Sequence, residues 1–73
     1  MTQKQADRLW EYFDEMECAT IETHNFCNSR SDNAIIGSLL RNGDIEYIGD
    51  DEYKLTAKGI RAYEKLSGES VPD

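Results

Sequence analysis

The chain has few of the residues on which disulfide, metal and covalent chemistry depend. Its 73 residues include two cysteines, one histidine and one proline. Two cysteines do not make the disulfide framework of a small secreted domain, and no basic segment followed by an apolar one suggests an export signal. We therefore predict a cytoplasmic protein with free thiols, and a single Cys18–Cys27 bridge stays open as the alternative.

Long apolar segments and an excess of positive charge are also missing. No stretch approaches the roughly 20 apolar residues that a membrane helix needs, so no membrane partner is expected. The chain has 8 Lys and Arg residues and 15 Asp and Glu residues, which gives a net charge of −7. Because nucleic-acid affinity depends largely on neutralising phosphates with Lys and Arg, this balance favours a basic protein partner over DNA.

Cys18, His24 and Cys27 are the residues that suggest a metal site or a nucleophile. A structural zinc site needs four ligands, usually in CxxC-type pairs, and three residues at loose spacing do not fit that pattern. Nucleophilic catalysis needs an orienting group in a cleft, for which a domain of this size has little room. The carboxylates of residues 44–52 do not match the spacing of a calcium-binding loop. We therefore predict no enzymatic activity, no metal and no cofactor.

The first half of the chain reads as helical. A Thr2–Gln5 capping box opens a helix predicted over residues 2–18, and Trp10 lies on its apolar stripe while Tyr12 lies off it. Residues 19–22 suggest an extended link or edge strand, and residues 23–28 a short helix. Since the core of so small a domain is marginal, nearly every large apolar residue is expected to be buried.

The second half reads as a helix, a hairpin and a further helix. Ser31 is the predicted N-cap of a helix over residues 31–42, which ends at Asn42-Gly43. Residues 45–55 predict two strands joined by a turn at Gly49-Asp50-Asp51. A last helix begins after Thr56 and ends at Gly68. We predict one domain over residues 1–68 and a flexible C-terminal tail over residues 69–73.

The most specific pattern runs from the end of the third helix to the start of the last. It reads Leu39-Leu40-Arg41-Asn42-Gly43-Asp44-Ile45-Glu46-Tyr47-Ile48 and then Tyr53-Lys54-Leu55-Thr56-Ala57-Lys58-Gly59. This succession of helix end, strand, short wing, strand and Leu-Thr-x-x-Gly resembles bacterial and phage winged helix-turn-helix domains. The resemblance implies an α+β fold of three to four helices with a two-stranded β-hairpin wing.

The resemblance also implies a DNA-binding mode, in which helix 31–42 enters the major groove and the 45–55 wing touches the backbone. A transcriptional regulator of this kind, monomeric or dimeric, would contact DNA through Arg30, Asn33, Ser38, Arg41 and Lys54. Direct readout relies on long polar side chains, whereas Ala34, Gly37 and Ser38 have little reach. The wing carries four carboxylates and one lysine, which is unfavourable beside phosphates.

The acidic wing leads us to predict a protein partner with a basic, nucleic-acid-handling surface. In size and acidity the chain resembles small phage-encoded inhibitors, including anti-CRISPR proteins and other DNA mimics, so inhibition of a host defence or regulatory complex is the expected role. DNA binding by a transcriptional regulator is the alternative. The residues predicted to contact the protein partner are Tyr12, Asp14, Glu15, Asp44, Glu46, Asp50, Asp51 and Glu52.

Overall fold

Within residues 1–72 the fold combines four helices with a three-stranded antiparallel sheet, which confirms the predicted α+β class. A computed structural model describes residues 1–72, and Asp73 lies outside the described residues. No helix within residues 1–72 is long and apolar enough to cross a membrane. The elements in chain order are α1 (Gln3–Met16), β1 (Ile21–Glu22), α2 (Thr23–Phe26), α3 (Arg30–Arg41), β2 (Ile45–Gly49), β3 (Glu52–Leu55) and α4 (Ala57–Ser67).

Helix α1 begins at the predicted capping box. The backbone N–H of Gln5 donates to Thr2 Oγ1 at 3.2 Å, and the N–H of Thr2 donates to Gln5 Oε1 at 2.9 Å. The helix ends at Met16 because Glu17 adopts the left-handed conformation, with φ of 54°. It therefore stops short of Cys18, where the sequence pattern placed its end.

The buried face of α1 differs from the predicted one. Tyr12 is 2 % exposed, whereas Trp10 is 42 % exposed, so the prediction for both residues is wrong. The reason is helical geometry: Tyr12 lies about 60° round the helix from the buried Leu9, whereas Trp10 lies about 100° round on the other side. A buried stripe centred on Leu9 therefore includes Tyr12 and leaves Trp10 in contact with solvent.

Strand β3 is the centre of the sheet, with β1 and β2 antiparallel on either side of it. The residues predicted as a link or edge strand therefore supply the third strand. A register shift between Tyr47 and Gly49 interrupts the pairing of β2. Tyr47 is 58 % and Ile48 45 % exposed, and Leu40 is exposed as well. The expectation that nearly every large apolar residue is buried therefore fails in this part of the chain.

Helix α3 begins earlier than predicted. Ser29, not Ser31, is the N-cap, and its Oγ accepts a hydrogen bond from the N–H of Asp32 at 3.2 Å. The carboxylate of Asp32 accepts hydrogen bonds from the N–H of Asn28 at 3.0 Å and from Arg8 Nε at 2.9 Å. These bonds fix the turn before α3, and the helix therefore starts at Arg30.

The Arg8–Asp32 ion pair joins α1 to α3. Besides Asp32, the Arg8 guanidinium donates to the carbonyl oxygen of Phe26 at 2.8 Å and lies 4.4 Å from the centre of its ring. Asp32 is buried, and the hydrogen bond from Arg8 is the main reason that its pKa lies below the ordinary value for aspartate. One arginine therefore links three helices and does not serve as a surface cation.

The start of α4 packs closely against the end of α3. Thr56 caps α4 as predicted, since its Oγ1 accepts from the N–H of Gly59 at 3.1 Å. The same hydroxyl donates to the carbonyl oxygen of Gly43 at 2.7 Å. A Cβ on Gly59 would lie 1.9 Å from the backbone oxygen of Asp44. The glycine of the Leu-Thr-x-x-Gly pattern is therefore required by this backbone contact.

The chain beyond α4 follows the surface of the domain. Gly68 ends α4 in the left-handed conformation with φ of 72°, as predicted. Val71 is half-buried and packs against the core. The flexibility predicted for residues 69–73 stays a prediction, and its last residue lies outside the described part of the chain.

Replacing Gly59 with alanine is expected to lower the free energy of unfolding by more than about 2 kcal/mol, because the added methyl group overlaps a backbone carbonyl. Gly37→Ala is the matched control: the new Cβ would lie 3.3 Å from the flexible end of Arg41, so a change within about 1 kcal/mol, in the stabilising direction, is expected. Urea denaturation of both variants measures the difference. Equal stabilities would contradict the inferred contact.

Asp32→Asn is expected to destabilise the fold at pH 7 by about 3 kcal/mol, because it leaves the Arg8 guanidinium without its carboxylate. The pKa of Asp32 is lowered in the folded state, so its contribution is complete above the unfolded pKa of about 3.9. The contribution is lost as the pH falls through the folded pKa. Urea denaturation at several pH values should therefore show the difference between wild type and variant shrinking at acid pH, and a difference independent of pH would contradict the assignment.

Candidate functional site

The tip of the β2–β3 hairpin presents two adjacent carboxylates in a fixed backbone conformation. Asp50 and Asp51 both have positive φ, 53° and 59°, and follow Gly49 with φ of 100°. Positive φ at both central residues is characteristic of a type I′ hairpin turn. Both aspartates are exposed, and neither carboxylate forms an ion pair with another residue of the described chain.

The backbone of the tip is anchored to the neighbouring strand and helix. The carbonyl oxygen of Asp51 accepts two hydrogen bonds from Thr23, one from its N–H and one from its hydroxyl, each at 3.0 Å. The N–H of Asp51 donates to the hydroxyl oxygen of Tyr47 at 3.3 Å. These bonds hold the tip from both sides, so the two carboxylates project from an ordered turn.

The other predicted wing carboxylates differ in their surroundings. Glu46 Oε1 lies 3.4 Å from Lys54 Nζ across the hairpin, so the predicted DNA contact Lys54 is already paired with a carboxylate. Glu52 is half-buried and is paired in register with Glu22 of β1. Like charges directly opposite one another destabilise an antiparallel pair.

Asp44 belongs to the interior and not to the predicted binding surface. It is fully buried, with Oδ2 3.1 Å from the α-amino group of Met1. Apart from this ion pair, neither carboxylate oxygen has a hydrogen-bond donor among the described residues. The prediction of a partner contact at Asp44 is therefore wrong, because the adjoining backbone contact with Gly59 holds this residue beneath α4.

Tyr12 is likewise a structural residue. Its hydroxyl oxygen accepts a hydrogen bond from the N–H of Glu22 at 2.9 Å, which ties α1 to β1. Its ring packs edge-on against Phe13 and Phe26. Burial raises the pKa of Tyr12. The hydrogen bond from the Glu22 N–H opposes this effect, and the charges of Cys18, Glu22 and Glu52 add to it. The expectation of an exposed partner contact is wrong for this residue, whereas Asp14 and Glu15 of α1 are exposed as that expectation requires.

The predicted DNA contacts of α3 lie on one helix but do not form a cluster of cations. Arg30, Asn33 and Arg41 are exposed, and Ser38 is half-buried. The two arginines occupy the ends of α3, roughly 16 Å apart along its axis. Ser38 and Arg41 line a shallow groove with Lys4 of α1. The side chains between the arginines carry no exposed charge, and Ala34, Gly37 and Ser38 among them are small.

The cysteines and the histidine do not converge. Cys18 and Cys27 are both free thiols and half-buried, so the open alternative of a bridge is not realised. Burial is the main cause of a raised pKa at Cys27, with Asp32 acting in the same direction, which lowers the thiolate fraction that nucleophilic chemistry needs. The imidazole of His24 is 72 % exposed and lies 3.5 Å from Glu22. Among residues 1–72, no three His, Cys, Asp or Glu side chains are grouped to hold a metal ion.

Comparisons with known proteins leave the chain without an assigned relative. No protein-family model, curated protein or solved structure matches it. The geometry of its own residues is therefore the basis for any functional assignment.

Tyr12→Phe is expected to lower the free energy of unfolding by about 1 to 2 kcal/mol, because the partly buried N–H of Glu22 loses its acceptor. Tyr47→Phe is the matched control, since its hydroxyl also accepts from a backbone N–H but from an exposed position, where a change below about 0.5 kcal/mol is expected. Urea denaturation compares the two. A smaller loss for Tyr12→Phe than for Tyr47→Phe would contradict the structural role of Tyr12.

Proposed function

We propose that this domain is a winged helix-turn-helix that works without enzymatic activity, by docking its acidic hairpin on a basic protein. The order α1, β1, α2, α3, hairpin and α4 supports the winged-helix layout. The short connection between α2 and α3 supports a helix-turn-helix. The hairpin then corresponds to the wing, and its surface determines which kind of partner is accepted.

The geometry of the hairpin tip is the observation that carries this proposal. Asp50 and Asp51 extend from a turn that Thr23 and Tyr47 hold by hydrogen bonds. An ordered turn loses little conformational freedom on binding. Carboxylates that lack a cation in their own chain gain charge-assisted hydrogen bonds from Lys or Arg of a partner, and acidic surfaces accelerate encounter with basic ones.

A protein that handles nucleic acid is the kind of partner that such a hairpin fits. Such proteins bind phosphates through Lys and Arg side chains, and exposed carboxylates at the tip compete for the same side chains. The small size of the chain and its net charge of −7 support an inhibitor of the phage type, which occupies the nucleic-acid surface of a host defence or regulatory complex. A reducing cytoplasm suits its free thiols.

The alternative is a DNA-binding regulator, and one observation favours it. The only charged side chains that α3 exposes are Arg30 and Arg41, because Asp32 is buried against Arg8. Ala34, Gly37 and Ser38, which are small, would let the middle of α3 approach a DNA groove closely. Under this alternative, duplex DNA binds in a salt-sensitive manner, and Arg41→Ala removes that binding.

Asp50→Asn combined with Asp51→Asn tests the hairpin, since asparagine tolerates positive φ and removes only the charge. The immobilised chain should capture a basic protein from an extract of its native host, and mass spectrometry identifies it. Calorimetry with the purified partner should then show about tenfold or greater weakening for the double variant, because charge-assisted hydrogen bonds contribute about 1.5–3 kcal/mol. Added salt should weaken the wild-type complex.

Glu64→Lys is the control, since it raises the net charge by the same amount at an exposed residue of α4 that lies outside the predicted partner surface. Equal weakening by this variant and the hairpin double variant would show that overall charge, not the hairpin, is recognised. A gel shift at low salt completes the test. A duplex-DNA complex at micromolar protein that Arg41→Ala abolishes would overturn the proposal in favour of the regulator.

A further inference from the structure

Trp10 is an exposed aromatic side chain with a groove on each side. It is the only tryptophan of the chain, and it is 42 % exposed on α1. One groove has a volume of about 330 Å³ and the other about 490 Å³. Trp10 and Glu69 line both grooves, so the indole forms part of the ridge between them.

The smaller groove has a firm apolar base. Phe13 and Tyr63 line it, both are buried, and their rings pack edge to face at 5.4 Å between centroids. Ser70 and Pro72, which follow α4, also line this groove. A ligand side chain in this groove would therefore contact aromatic surface on one side and polar groups near the opening.

Every charged residue that lines the two grooves is acidic. None of these carboxylates forms an ion pair with a cation of the described chain, and one of them, Asp7, accepts a hydrogen bond from Gln3 at 2.9 Å. The acidic lining residues are Asp7, Glu11, Asp14, Glu17 and Glu69. An indole surrounded by carboxylates is complementary to a cation with a flat face.

We propose that the Trp10 grooves receive arginine side chains of a basic partner protein, with a guanidinium stacked on the indole and bonded to Asp14 or Asp7. Arginine fits better than lysine because its guanidinium is planar, weakly hydrated and able to bind a carboxylate through two parallel hydrogen bonds. Tryptophan is the aromatic residue that attracts cations most strongly. This inference rests on the proposed function and adds a second contact surface, on α1, to the hairpin.

Because Trp10 is the only tryptophan of the chain, its fluorescence emission reports binding in the grooves directly. A hexa-arginine peptide titrated into the protein at low salt should change the emission of Trp10 saturably, and a hexa-lysine peptide should bind about threefold or more weakly, as expected from an exposed cation–π contact. Asp14→Asn combined with Glu17→Gln should weaken hexa-arginine binding by about fivefold or more. Glu64→Lys raises the net charge by the same amount at an exposed residue of α4 outside the hairpin and the two grooves, so it is the charge-matched control and should leave the emission titration unchanged.

Calorimetry extends the test to Trp10 itself. Trp10→Phe keeps an aromatic ring and should bind hexa-arginine about threefold more weakly, with circular dichroism checking that it folds. The proposed arginine site at Trp10 is overturned if Trp10 emission does not respond to hexa-arginine, if both peptides bind equally, or if Glu64→Lys weakens binding as much as Asp14→Asn combined with Glu17→Gln. If the hairpin captures the basic host partner but Trp10 emission does not respond to hexa-arginine, only the proposed arginine site is overturned and the proposed function stands. Failure of that capture would overturn the proposed function, and a selective Trp10 response to hexa-arginine would still support the groove as an arginine site.

Discussion

The backbone contact between Gly59 and Asp44 is the constraint on which the position of the hairpin depends. The carbonyl groups at the end of a helix have no partner within that helix, and here the first residues of α4 provide partners just beyond α3. Thr56 binds the carbonyl oxygen of Gly43 and Lys58 binds that of Asn42. Because the two segments meet without intervening side chains, α3, the hairpin and α4 form one unit. The hairpin can therefore present its tip in a fixed direction.

Ion pairs inside the fold determine which charges are left for a partner. Arg8 forms an ion pair with Asp32, and Lys54 forms one with Glu46. In the described part of the chain, these two of the eight Lys and Arg residues are therefore already paired with carboxylates. Breaking a buried pair is expensive, which keeps Arg8 unavailable to phosphates. Two carboxylates, Asp32 and Asp44, are likewise buried. The remaining exposed carboxylates lie mainly on α1 and at the hairpin tip, so these two surfaces carry most of the exposed negative charge.

Local signals in the sequence predicted most of the elements. The caps at Thr2 and Thr56 and the helix end at Gly68 depend on residues within a few positions, so sequence spacing was enough to place them. The rotation of α1 was not predictable in the same way, since Trp10 and Tyr12 are both aromatic and flank the same stripe. Their burial depends on contacts with Phe26 and Glu22, which only the assembled fold brings near.

The candidate surfaces were predictable from the sequence only where they depend on neighbouring residues. The exposed acids at the hairpin tip follow from a turn signal, whereas the burial of Asp44 depends on α4 and on the amino group of Met1, both distant in sequence. Tyr12, which was also predicted to contact a partner, is buried by contacts that form only in the folded domain. The exposed Trp10, with carboxylates around it, had no signal of its own, because an aromatic residue near an apolar stripe is expected to be buried.

The choice of aspartate at the tip carries a physical argument of its own. Two consecutive residues with positive φ favour glycine, asparagine and aspartate, so Asp50 and Asp51 suit the backbone of this turn. Their charges have a separate effect, because adjacent carboxylates repel each other and no cation of the described chain is paired with them. Asparagine would form the same turn without that repulsion, so the two charges do not stabilise the hairpin. The proposed docking on a basic protein would give these charges a role, since cationic side chains form charge-assisted hydrogen bonds with carboxylates.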